Sequence, residues 1–128
     1  MARQDELSVI TKAKELCSYI MTVTDKSPKR FRFTLVAKMQ GYALNAIEHL
    51  YRANEVFVKK EDLQKIQERL EYQHKALTEL KLLAYISHLA MEQQCILVKQ
   101  YEQITQKVSN CQNILGAWIN SDKKRYGS

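Results

Sequence analysis

The sequence predicts an all-α protein built as a single up-down-up-down four-helix bundle. Three observations predict it. Turn formers are scarce, with 3 glycines and 1 proline among 128 residues, too few for the many tight connections of an all-β fold. Apolar residues recur at alternating spacings of four and three in several stretches, and polar residues fill the positions between them. Apolar residues make up 45% of the chain and charged residues 27%, the composition of a globular domain rather than a disordered segment. The length suits one domain, residues 1–128, with a basic C-terminal tail from about residue 121.

The first helix is marked by Val9, Ala13, Leu16, Ile20 and Val23. The second follows Lys26-Ser27-Pro28-Lys29 and carries Val36, Met39, Ala43, Ile47, Leu50 and Phe57; proline suits a first helical turn, where its missing N–H has no partner to lose. Lys59-Lys60-Glu61-Asp62 is a polar connection whose acids favour a helix start, and the third helix then carries Leu63, Ile66, Leu70, Leu77, Leu80 and Leu83. The fourth shows the clearest periodicity, a heptad seam of Leu97, Tyr101, Ile104, Val108, Cys111, Leu115 and Trp118. Nothing interrupts the pattern from Asp62 to Asn120, yet one helix of that length would run about 90 Å at 1.5 Å per residue. A turn is therefore placed near Gln94 to Leu97. Four helices joined by short loops pack most simply with left-handed, knobs-into-holes contacts.

Cys17, Cys95 and Cys111 are odd in number and lie inside helical patterns, which predicts reduced core thiols rather than a disulfide framework. No apolar run approaches the roughly 18 residues of a membrane span, and no signal peptide is recognisable at Met1-Ala2-Arg3. The expectation is a cytoplasmic protein with no membrane partner.

The formal charge is +6, and it is unevenly placed. Lys26, Lys29, Arg30, Arg32 and Lys38 fall in a stretch with no acid between Asp25 and Glu48, and Lys123-Lys124-Arg125 lies near the C-terminus. Outside these two segments the 20 basic residues reduce to twelve, against 14 acids. Local basicity of this kind points to a polyanion. In Lys29-Arg30-Phe31-Arg32-Phe33 aromatics alternate with bases, which offers a nucleic-acid strand both phosphate neutralisation and stacking. The same run is also compatible with Phe31 and Phe33 as a helix-entry staple beneath solvated bases.

Sites for chemistry are few. Glu71-Tyr72-Gln73-His74 has the Glu-x-x-His spacing of di-iron bundles, but such a centre needs two of these motifs. His88 and Glu92 stand one turn apart, an intrahelical pair. No phosphate-binding glycine loop, nucleophile elbow or Cys-x-x-Cys occurs. No catalytic residue, metal ligand or cofactor is expected, and the protein is read as a non-enzyme. Gly41 and Gly116 interrupt helical patterns at about 1 kcal/mol each relative to alanine, for which close helix approach is the usual cause. Tyr42, Tyr51 and Trp118 are read as core or subunit-contact residues.

Two stretches carry a family resemblance: Ser27-Pro28-Lys29-Arg30-Phe31-Arg32-Phe33-Thr34-Leu35 leading into Ile47-Glu48-His49-Leu50-Tyr51-Arg52-Ala53-Asn54, and Ile114-Leu115-Gly116-Ala117-Trp118-Ile119-Asn120-Ser121. Together they resemble the Avd family, the accessory variability determinants of diversity-generating retroelements, relatives of small bundle proteins encoded within ribosomal RNA intervening sequences. The resemblance implies a homopentameric barrel of four-helix protomers whose basic surface binds RNA or DNA and which docks a reverse transcriptase. In that role it supports template-primed, error-prone cDNA synthesis without being catalytic. Carried onto this sequence, the nucleic-acid contacts are Lys29, Arg30, Arg32, Lys38 and Arg52, with Lys123, Lys124 and Arg125 as a flexible supplement. Arg52 lies one turn from Glu48, so an intrahelical ion pair explains it equally. Glu61, Asp62, Glu68, Glu71 and Glu79 leave the third helix close to neutral, which narrows the basic surface. The alternative is a homo-oligomeric bundle that binds a protein and has no retroelement role.

Overall fold

The computed structural model describes residues 2–126, and the side chains of residues 8–126. Four helices account for nearly all of them: α1 (Ala2–Asp25), α2 (Ala37–Glu55), α3 (Leu63–Glu92) and α4 (Val98–Tyr126). A 3₁₀ turn at Lys29–Phe31 and a π-helical turn at Arg32–Val36 lead into α2. No strand occurs among the described residues. Each helix packs on two neighbours, α1 on α2 and α4, and α3 on the same two. Short connections between consecutive neighbours give the up-down-up-down bundle that the sequence predicts.

The connections have local causes. Asp62 caps α3, its Oδ1 accepting from Lys65 N at 3.2 Å, which satisfies a donor that the first helical turn otherwise leaves without a partner. The turn between α3 and α4 occupies residues 93–97, where the sequence places it. It opens with Gln94 at φ 61°, a left-handed conformation that closes the helix end and lets Cys95 N donate to Ala90 O at 2.8 Å. On its far side Leu97 N donates to Gln100 Oε1 at 2.8 Å, half of a capping box that starts α4.

The core follows the predicted seam throughout α1 and over most of its length on α2 and α4, and departs from it on α3. Val9, Ala13, Leu16, Ile20 and Val23 of α1 are all buried, as are Ile104, Val108, Cys111, Leu115 and Trp118 of α4, but the first two positions predicted for the α4 seam are not: Tyr101 is half-buried, and Leu97, in the turn before the helix, is 67% exposed. Each fully buried Leu-sized side chain contributes about 1.5–3 kcal/mol relative to exposure. Val36, Met39, Ala43 and Leu50 are buried along the second stretch, but α2 stops at Glu55 and Phe57 is 75% exposed beyond it. On α3 the predicted leucine stripe is only partly the buried one. Leu80 and Leu83 are buried, Leu70 and Leu77 are half-buried, and Leu63 is 73% exposed. The buried stripe is Arg69, Gln73, Ala76, Leu80, Leu83, Ser87 and Ala90. It keeps the alternation of four and three, but three of its seven positions are polar and two are alanine, so it has little hydrophobic contrast to show in the sequence.

All three cysteines are buried and unpaired, as expected. Burial raises each thiol above its ordinary range, that of Cys111 to about 11 with a smaller push from Glu15. Thiols so placed stay protonated near neutral pH and serve as small apolar groups. The glycine expectation fails: a Cβ built at Gly41 or Gly116 meets nothing within 4 Å, so close packing within the protomer does not explain either. Trp118 is fully buried, Tyr42 half-buried and Tyr51 exposed. No helix among the described residues is long and apolar enough to cross a membrane.

Candidate nucleic-acid interface

The two ends of the bundle differ in chemistry. At one end the α1–α2 and α3–α4 connections meet, joined by Ser27 Oγ donating to Cys95 O at 2.8 Å. Pro28 is extended (φ −56°, ψ 140°), and its carbonyl accepts from Phe31 N at 3.0 Å to begin the 3₁₀ turn. Passing from a three-residue winding to a π turn sets which aromatic faces inward. Phe31 and Leu35 pack against the core while Val36 and Met39 enter it. Phe33 between them is left 86% exposed. Arg30 lies over the Phe31 ring, its guanidinium carbon 4.5 Å from the centroid, an interaction worth about 0.5–1 kcal/mol at an exposed site. The alternation seen in the sequence therefore divides: Phe31 is the helix-entry staple, and Phe33 is not.

Phe33, Lys26, Lys29 and Arg32 border a cleft of about 420 Å³, with Asp25 the one carboxylate among its lining residues. Gln40, on its wall, donates through Nε2 to Thr24 Oγ1 at 3.0 Å. Three cations face one carboxylate in this cleft, a larger excess than in the groove on α1 where Lys14 and Lys107 face Glu15. The groove bounded by Arg52, Lys65, Glu55 and Glu68 balances two against two. The one between α2 and α3 sets Lys75 and two histidines against Glu71 and Glu79.

Of the residues singled out in the sequence, Lys29, Arg30 and Arg32 share this end, and all three are exposed. Lys38 follows in the first turn of α2, its Nζ 5.8 Å from the Tyr42 ring. Arg52 is not part of the cluster. It stands near the other end of α2, and its Nε donates to Glu48 Oε2 at 3.2 Å, so its charge is locally balanced. Lys123, Lys124 and Arg125 are also exposed, but they belong to the last turn of α4 rather than to a flexible tail. Cations there meet the negative end of the helix dipole, a structural reason for their presence. They lie at the opposite end of the bundle, separated from Arg32 by the length of α2, about 28 Å for its nineteen residues. The two basic segments are therefore two surfaces. Lys26, counted in the acid-free stretch but not carried over as a contact, joins the first of them, and its place in that stretch was the available signal.

The opposite end is organised around a buried polar group. Arg69 donates through Nη2 to Val56 O at 3.2 Å, and its Nη1 lies 3.6 Å from Asp122 Oδ2. Gln73 Nε2 donates to the same carboxylate oxygen at 2.9 Å. The rings of Trp118 and Tyr126 each lie 5.9 Å from the guanidinium. Burial raises the Asp122 carboxyl above its usual range despite the lowering influence of Arg69, Gln73 and Arg125. The cluster ties α3 to α4 and to the α2–α3 connection. No leucine or cysteine pattern hinted at it.

Glu71 and His74 are both exposed and line the open groove between α2 and α3. His88 Nδ1 lies 3.5 Å from Glu92 Oε1, the intrahelical pair expected. Among the described residues no group of three or more His, Cys, Asp or Glu is placed to hold a metal ion.

No curated protein matches the chain. The bAvd-like family model matches residues 7–122, a span that takes in most of all four helices, the basic turn before α2 and the buried Arg69–Asp122 cluster. The resemblance read in the Ser27–Leu35 and Ile114–Ser121 stretches therefore extends over most of the sequence, and the chain belongs to the bAvd-like family.

Proposed function

We propose that this protein is a non-catalytic, cytoplasmic accessory factor of a diversity-generating retroelement, which binds nucleic acid and docks a reverse transcriptase during template-primed cDNA synthesis. Family membership supports the retroelement role. The observation that carries the nucleic-acid part is the cationic end of the bundle, where Lys26, Lys29, Arg30 and Arg32 gather beside a single lining carboxylate, Asp25. Such a surface recruits phosphates through counterion release and needs no reactive group of its own.

In this proposal the protomer assembles as a homopentameric barrel. Exposed apolar side chains away from the cationic cleft, Leu44, Phe57, Leu63 and Tyr85 among them, are available for contacts between subunits or with the polymerase. Repeating a small patch around a ring multiplies the phosphates that one strand can engage.

Salt dependence tests the proposal. For a single strand, three phosphate contacts predict about a twentyfold loss of affinity between about 50 and about 200 mM salt, and six predict about 300-fold. Affinity measured by fluorescence anisotropy on the assembled protein should fall within or beyond this range. Binding that is absent at low salt, or indifferent to salt, would instead favour a homo-oligomeric module whose partner is a protein.

A further inference from the structure

Phe33 is the side chain that the fold leaves least explained. Its neighbour Phe31 has a place against the core and a guanidinium above it, whereas Phe33 is 86% exposed at the rim of the cationic cleft. A lone exposed apolar side chain is ordinary. This one stands beside Arg32, with Lys26 and Lys29 bordering the same cleft, so an anion drawn to the cations arrives next to a free aromatic face. The cleft, about 420 Å³, falls within the roughly 300–1,000 Å³ range of small-ligand clefts.

We propose that Phe33 is a stacking platform for an unpaired base, and that this end of the bundle takes single-stranded nucleic acid in preference to duplex. The inference rests on the nucleic-acid reading above and narrows its substrate class. An exposed ring can stack only on a base whose face is free, and in a duplex those faces are covered by neighbouring base pairs. A duplex meets the cations alone, whereas a single strand meets the cations and the ring together. The cleft walls favour nucleic acid over a protein partner. Besides Phe33, and the smaller apolar groups of Pro28, Val36 and Ala37, they present Thr24, Ser27, Gln40, Asp25 and three cations, whereas a protein hot spot calls for a desolvated pocket around its anchor.

The experiment compares an oligothymidylate single strand with a blunt duplex of the same length, using the assembled protein at low salt. Phe33→Ala should weaken single-strand binding about tenfold, the effect of removing one stacked base, and should leave duplex binding within about twofold. Phe33→Tyr should bind as the unaltered chain does. In Phe33→Trp the introduced indole should be quenched by the single strand and not by the duplex. The native Trp118, fully buried, provides the constant background. Because Phe33 packs on little, thermal unfolding should be unchanged in all three variants.

If Phe33→Ala binds the single strand as tightly as the unaltered chain while binding remains salt-dependent, the platform is overturned and the cationic-surface reading stands. The platform is equally overturned if the variant weakens single strand and duplex alike. If neither strand binds the unaltered protein, both readings fall.

Discussion

Reversing two charges at the cationic end, Arg30→Glu with Arg32→Glu, should lower nucleic-acid affinity at low salt by on the order of 100-fold, taking about 1.5 kcal/mol for each charge-assisted hydrogen bond to phosphate. The slope of log affinity against log salt should become shallower, by about one for each phosphate no longer neutralised. Both side chains are exposed, so the helical spectrum and oligomeric state should not change. The informative control is Lys123→Glu with Lys124→Glu. It changes net charge by the same amount at the far end of the bundle. A nucleic acid attracted only by net charge responds equally to both pairs, whereas one seated on the Lys26–Arg32 end responds mainly to the first. Anisotropy titrations of the two double variants separate these outcomes.

Arg69→Ala should destabilise the fold by about 3–5 kcal/mol near pH 8, because it strips a buried carboxylate of its charged partner. Arg69 and Asp122 side chains are each only 10% exposed, so water cannot cheaply take the place of the guanidinium. The destabilisation should depend on pH with a definite sign. The folded Asp122 carboxyl already sits above its ordinary value through burial, and removing Arg69 withdraws the largest influence that lowers it. The folded state then binds a proton that the unfolded state does not, in the window from the unfolded value up to the raised folded one. Stability contributed by that proton is present at acid pH and is lost as pH rises through the folded value. Acidification from about pH 8 to about pH 5 should therefore recover part of the stability of the variant, measured by chemical denaturation. Adding Asp122→Asn should abolish the recovery and partly restore stability at the higher pH. A pH-independent deficit would mean that Asp122 is not the charge left in the low-dielectric interior.

The bundle was legible in the sequence wherever its buried seam is apolar. Val9 to Val23 and Ile104 to Trp118 carry the alternation of four and three in side chains whose only advantage at those positions is burial, and the structure buries every one of them. The α3–α4 turn was legible from length alone. On α3 the same argument misplaced the seam, because hydrophobic periodicity locates a buried face only when the face is hydrophobic. Arg69 and Gln73 hold core positions through polar partners, Val56 and Asp122, that are distant in sequence, and Ser87 is buried on the same stripe. Charge clustering marked Lys26, Lys29, Arg30, Arg32 and Lys38 as one segment and Lys123–Arg125 as another, whereas Arg52 entered only through the family resemblance. Charge alone does not say which end of a bundle a residue occupies; the predicted up-down-up-down order does, and it sets Lys123–Arg125, at the end of the fourth helix, opposite the α1–α2 connection. The division of labour between Phe31 and Phe33 was hidden, since it depends on a 3₁₀ turn passing into a π turn, a change of winding that no apolar spacing announces.

The most direct test is ultraviolet cross-linking of a photoreactive single-stranded RNA to the unaltered, assembled protein, with the modified peptides identified by mass spectrometry. Adducts should concentrate between Lys26 and Phe33 and be sparse on Lys123, Lys124 and Arg125. Adducts gathered on the last turn of α4, or distributed evenly over both ends, would contradict the placement of the nucleic-acid surface at the Pro28 end of the bundle.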